Sequence, residues 1–117
     1  MYAEAVLRGG QGGTQDLALD YVNALRARAY GNQTGRITAA DLTGPDFILK
    51  ERGREMYWEG TRRTDLVRFG RFTTDTYLWP WKGGVAAGKS VSPNLNLFPI
   101  PSTDIVANPT LTQNTGY

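Results

Sequence analysis

Glu51, Glu55 and Glu59 recur at every fourth position, a spacing that sets three carboxylates on one face of a helix. Two such groups are what glycoside hydrolysis uses, one as acid and the other as base or nucleophile. That chemistry needs one carboxyl with a raised pKa, and the neighbours oppose it. Arg52, Arg54, Arg62 and Arg63 stand among the glutamates, with Asp65 close behind, and arginines keep carboxylates ionised. Glu51, Arg54, Glu55, Glu59, Arg62 and Asp65 therefore read as a structural lattice, in which bidentate arginines lock this helix to the next one. No catalytic residue is expected, and an enzyme would need a cleft with two free carboxylates.

A second group suits recognition. Tyr77-Leu78-Trp79-Pro80-Trp81-Lys82-Gly83-Gly84 places Tyr77, Trp79 and Trp81 in one short loop. Sugar rings present faces of aliphatic hydrogens that stack on indole, so two tryptophans in a loop suit a glycan binder. The competing reading is that the rings plug the protein's own core. Exposure of Trp79 or Trp81 favours ligand capture, and burial of the pair favours a scaffold. Residues 83–90, Gly-Gly-Val-Ala-Ala-Gly-Lys-Ser, also meet the spacing of a phosphate loop. That motif requires a strand before it and a helix after it. Trp-Pro-Trp-Lys precedes and Pro93 follows closely, so the match reads as chance.

Composition narrows the classes. The 117 residues fit one domain, read as 1–117, and contain neither cysteine nor histidine. Disulfides, thiolate and imidazole chemistry and ordinary zinc sites are therefore excluded within the chain, and no cofactor or metal is expected. Thirteen basic residues nearly balance eleven acidic ones, for a formal charge of +2. The one basic cluster, Arg62, Arg63, Arg68 and Arg71, is interleaved with Glu55, Glu59 and Asp65, which argues for ion pairs and against a nucleic-acid footprint. No apolar run approaches the roughly 20 residues of a membrane span, and no signal peptide is visible.

The elements that must position these groups are mainly helical. Residues 1–8 read as the last turns of a helix, followed by a glycine break at 9–13. Thr14 or Asp16 caps a second helix over about 15–30, with Leu17, Tyr21, Ala24, Leu25 and Ala29 near one face, and Gly31 stops it. The two helices form an αα-hairpin. Thr38 is expected to cap a short turn at 39–43. Pro45 suits the first turn of a third helix, read as 45–59, with Ile48, Leu49, Met56 and Tyr57 on or near one side. A further helix at 61–69 turns Leu66 and Phe69 inward. Residues 73–94 read as aromatic, glycine-rich loop. Pro99, Pro101 and Pro109 then stiffen the tail, leaving Leu97, Phe98, Ile100, Ile105 and Leu111 as pegs on the domain body. Ser102 is expected to cap one short turn.

Two blocks, Glu51-Arg52-Gly53-Arg54-Glu55-Met56-Tyr57-Trp58-Glu59-Gly60-Thr61-Arg62-Arg63-Thr64-Asp65-Leu66 and Asn96-Leu97-Phe98-Pro99-Ile100-Pro101-Ser102-Thr103-Asp104-Ile105, resemble the carboxy-terminal part of the SusD/RagB family. Asn108-Pro109-Thr110-Leu111-Thr112-Gln113-Asn114-Thr115-Gly116-Tyr117 continues the likeness, departing only at Thr115, where the family pattern usually has proline.

The resemblance implies a mainly α fold of packed helix pairs, related to helical repeats, with long ordered loops and an extended carboxy-terminal strap. It implies non-catalytic capture of a glycan or other nutrient at the outer-membrane surface, for import with a TonB-dependent SusC-like transporter. Membrane association would come from a lipid anchor in an amino-terminal part that this chain lacks. The rival class is a protein–protein interaction or scaffold module of helix pairs without ligand affinity.

Overall fold

The computed structural model describes residues 1–117 and contains helices, turns and loops but no strands. No helix is long and apolar enough to cross a membrane. The chain divides into two compact units, Met1–Arg62 and Arg63–Tyr117. The mainly helical class expected from the sequence is what the chain adopts.

The first unit holds α1 (Tyr2–Leu7), α2 (Gln15–Tyr30) and α3 (Pro45–Glu55). Thr14 caps α2, its hydroxyl accepting from the Leu17 amide at 3.3 Å, and so satisfies one of the donors that a helix start leaves free. Gly31 ends α2 in the left-handed region at φ 68°, where glycine has no Cβ to clash. The αα-hairpin forms as expected. Tyr2 and Tyr21 meet edge to face at 5.2 Å, and the Tyr2 hydroxyl accepts from the Thr14 amide.

The unit's core is Ala3, Ala18, Val22, Leu42 and Ile48, with Tyr2, Val6, Leu7, Leu19, Ile37 and Phe47 packed around it. This overturns the face expected for α2. Leu17, Tyr21 and Leu25 remain 39%, 50% and 42% exposed, and Ala24 and Ala29 are also exposed. The stripe is rotated because polar residues choose it too. Asn23 is buried, donating to the Ile37 carbonyl at 3.0 Å and accepting from the Ile37 amide at 2.8 Å. Arg26 donates to the Gly35 carbonyl. These bonds tie the 31–38 loop to the inward side of α2, and a buried backbone amide and carbonyl demand such partners.

Pro45 opens α3 as expected, but the helix ends at Glu55 and not at residue 59. Trp58 is left-handed at φ 69° and Gly60 at φ 71°, so the chain turns where four more helical residues were expected. Tyr57, expected near the packed side, is 75% exposed. The turn before α3 is also closed from the other end. Thr38 does not cap it; the Asp41 carboxylate accepts from both the Thr38 amide and hydroxyl at 2.8 Å. The Thr38 amide foremost, then its hydroxyl, hold Asp41 below the ordinary carboxylate value.

Apart from Arg62, α4 (Arg62–Arg68) lies in the second unit, with α5 (Ser102–Ala107) and two short 3-10 turns at Lys82–Gly84 and Pro93–Asn96. Leu66 is buried and Phe69 half-buried. Ser102 does not cap α5: Pro101 holds the cap position without a side-chain bond.

Candidate functional site

The loop carrying the three aromatic candidates is built around one side chain. Lys82 is only 3% exposed, and its Nζ donates to the carbonyls of Arg71 at 3.3 Å, Tyr77 at 2.8 Å and Thr74. Three converging acceptors match the three donors of an ammonium. The same nitrogen lies 4.7 Å from the centre of the Trp79 ring, over its face, where the ring quadrupole attracts a cation. Burial pushes the Lys82 pKa below its ordinary value, partly offset by the charge of Asp75.

Around this centre the rings part company. Trp79 is half-buried, stacked on Phe72 at 6.2 Å and tilted against Tyr77 at 6.4 Å. Trp81 is 69% exposed and stands in the left-handed region at φ 67°. Such backbone costs a bulky residue about 1–2 kcal/mol unless its surroundings impose it. Here they do: the Trp81 amide donates to the Ala86 carbonyl, and the Trp81 carbonyl accepts from Gly84. The structure thus offers the Trp81 ring to solvent and commits Trp79 to packing. Residues 85–92 return from this turn without entering a helix, so the phosphate-loop spacing has no phosphate-loop structure.

Two of the glutamates of α3 pair with arginines of α2. Arg26 Nη1 of α2 lies 2.8 Å from both oxygens of Glu51, Arg54 bonds Glu51 at 2.8 Å, and Arg28 pairs with Glu55. A lock therefore runs back from α3 to α2, through Arg26 and Arg28 near the end of α2. Glu59 lies beyond the helix end and is exposed. Arg62 donates to the Leu49 carbonyl at 2.6 Å, passing so close to Gly53 that a Cβ there would stand 2.9 Å from Nη1. Buried Asp65 pairs with Arg68 at 3.0 Å.

Arg63 is held in the second unit with its guanidinium carbon 3.8 Å from the Phe98 ring centre and 4.8 Å from that of Phe72. It also donates to the Leu95 carbonyl. Arg71 donates to Thr76 at 3.1 Å. The basic cluster is thus engaged residue by residue within the protein.

The strap is extended, but its pegs are not buried. Leu97 and Phe98 are exposed, as is Leu111, while Ile100 and Ile105 are half-buried. What holds the strap is polar. Pro99 and Pro101 have no amide to donate, and between them Ile100 donates to Gln113 Oε1 at 2.8 Å and accepts from Gln113 Nε2 at 2.9 Å. Asn114 donates to the Phe98 carbonyl and the Tyr117 hydroxyl to the Leu97 carbonyl. Side chains of the last residues stand in for the partner strand that a pair of prolines precludes.

The family model described as SusD family matches residues 1–117. The chain belongs to the SusD family. It is 45% identical over 115 residues to the starch-binding protein SusD of Bacteroides thetaiotaomicron, covering 98% of this chain and 19% of that protein. Among solved structures it resembles surface glycan-binding protein A from Bacteroides thetaiotaomicron, with a TM-score of 0.69 and 35% identity over 97% of this chain and 22% of that one. The chain thus spans about a fifth of the length of each of these relatives. Both are named as binding proteins. As a SusD-family element, the chain places the Glu51–Arg26 lattice and the Gln113 clasp as internal ties and leaves Trp81 as the ring of the loop that faces solvent.

Lys82 was absent from the residues singled out by sequence. A lysine beside a Gly-Gly pair in a polar loop has the pattern of a solvated cation, and nothing in its spacing marks three carbonyls folded over it. Gln113 escaped for the same reason: its partner lies thirteen residues away across an irregular turn.

Proposed function

We propose that the protein of which this chain is the carboxy-terminal part captures glycan at the outer-membrane surface without making or breaking bonds, and that Trp81 is a stacking face for sugar. The exposure of Trp81 on an internally braced loop is the observation that carries this assignment. An indole presented in a fixed orientation loses little conformational freedom when a sugar ring packs on it. The names of the two relatives, a starch-binding and a glycan-binding protein, support a glycan as ligand. Family likeness supports a TonB-dependent SusC-like transporter as partner and a lipid anchor in an amino-terminal part as the membrane attachment. Glu51 and Glu55, paired with arginines, lack the unpaired acid of a hydrolase, which supports the non-enzymatic reading.

A second reading, a scaffold module that docks another protein, is favoured by the packing of Trp79 on Phe72. The two separate in one experiment. The protein is titrated with a panel of starch-, xylan- and mannan-derived oligosaccharides, with Trp81→Ala and Trp79→Ala alongside. Loss of binding in Trp81→Ala with the helical signal intact supports capture through this loop. Binding equal to the parent's in Trp81→Ala ends the stacking assignment.

A further inference from the structure

We propose that Lys82 is the positioning residue of the aromatic loop: its buried ammonium acts as an internal cation that gathers the 71–77 segment and fixes Trp79, so that Trp81 is held out for a ligand. This deepens the capture reading above and rests on it for the ligand, but its structural half stands alone.

The argument is geometric. The carbonyls of Arg71, Thr74 and Tyr77 come from an irregular segment with no helix or strand to satisfy them, and all three point at one nitrogen. A bound metal ion often organises a loop in this way, and here an ammonium on a four-carbon stem stands in that position. The stem's own backbone belongs to the turn being organised. The Lys82 amide donates to the Trp79 carbonyl at 3.1 Å, and its carbonyl accepts from the Lys89 amide at 3.1 Å. Lys82 therefore ties Trp79, two residues ahead of the strained Trp81, and Lys89 of the returning segment to a single point. The approach is close enough that Gly88 is required beside it, since a Cβ there would lie 2.6 Å from the Trp79 carbonyl oxygen. A buried charge is tolerated only when its hydrogen bonds are complete, and here the three donors and the ring face complete them.

The alternative is that Lys82 merely fills space. Lys82→Met keeps the stem and removes the donors and charge. Lys82→Cys gives the chain its one cysteine, which 2-bromoethylamine converts in denaturant to a near-isosteric aminoethyl side chain before refolding. Near-UV circular dichroism reports the order of the tryptophan rings, far-UV reports the helices, and maltoheptaose is the titrated probe. The expectation is that Lys82→Met keeps its helical signal, loses most of the near-UV tryptophan band and binds about tenfold more weakly. The aminoethylated protein recovers both. An undiminished near-UV band in Lys82→Met overturns the positioning role, as does failure of the aminoethyl group to restore it. If the band behaves as expected while Trp81→Ala binds maltoheptaose like the parent, the positioning role stands and the ligand assignment fails.

Discussion

Arg26 Nη1 sits 2.8 Å from both oxygens of Glu51, and the two side chains are only 15% and 13% exposed. A largely desolvated pair of this kind is costly to break on one side, because the remaining charge loses its partner in a poorly screened site. Glu51→Gln should therefore lower the unfolding free energy by about 2 kcal/mol. Glu55→Gln should cost less, since Arg28 is 66% exposed and such pairs contribute about 0.5 kcal/mol. Glu59→Gln, beyond the helix and exposed, should lie within about 0.5 kcal/mol of the parent. Urea melts rank the three; equal losses would mean that the spacing, and not the pairing with α2, sets their role.

Much of this was legible. The starts of α2 and α3 follow from Thr14 and Pro45, whose effects on a helix end are local and need no knowledge of the fold. The identity of the family lies in two long sequence blocks. What failed was whatever depended on a distant partner. The inward face of α2 was misassigned because Asn23 and Arg26 turn inward to satisfy the 31–38 loop, and an apolar pattern does not record that demand. The helix end at Glu55 was missed because Tyr57 and Trp58 continue a plausible helical sequence, while the reversal at Trp58 is decided by surrounding structure. The site was half legible: aromatic residues mark the loop, but only the fold separates exposed Trp81 from packed Trp79 and brings Lys82 over the Trp79 ring.

Gly88 is left-handed at φ 79°, and a Cβ would meet the Trp79 carbonyl oxygen at 2.6 Å. The obstruction is backbone, so it cannot swing aside as a side chain would. Gly88→Ala combines left-handed strain of about 1 kcal/mol or more with a clash that shifts the Trp79 peptide. The expected result is loss of near-UV tryptophan signal with the far-UV helical spectrum retained. Gly53→Ala is the contrast, because the atom it meets is the end of the Arg62 side chain and alanine favours a helix by about 1 kcal/mol. A Gly88→Ala protein with an unaltered near-UV spectrum would contradict the packing described.

The clasp at Ile100 can be divided into its two bonds. Gln113→Glu keeps an acceptor for the Ile100 amide but has no donor for the Ile100 carbonyl, whereas Gln113→Ala removes both. Each lost bond to a half-buried backbone group should cost about 1 kcal/mol. Hydrogen exchange at the Ile100 amide should be accelerated in Gln113→Ala and near the parent's rate in Gln113→Glu. Unchanged protection in Gln113→Ala would show that the strap is held without Gln113, by the prolines and the Asn114 and Tyr117 bonds.

Lys82 makes a prediction whose sign is fixed. Burial lowers its pKa in the folded protein below the ordinary 10.5, so across the interval beneath 10.5 the unfolded chain binds the proton more readily than the folded one. Stability contributed by this group therefore rises with pH through that interval, and is lost as pH falls through the folded value. Tyrosines titrate in the same range, so the measurement is a difference: urea melts of the parent and of Lys82→Met at steps between pH 8 and 10.5. The parent's stability relative to Lys82→Met should increase as pH rises. A relative stability that falls with pH would mean that the carbonyls of Arg71, Thr74 and Tyr77 outweigh desolvation and hold the ammonium charged beyond its ordinary range.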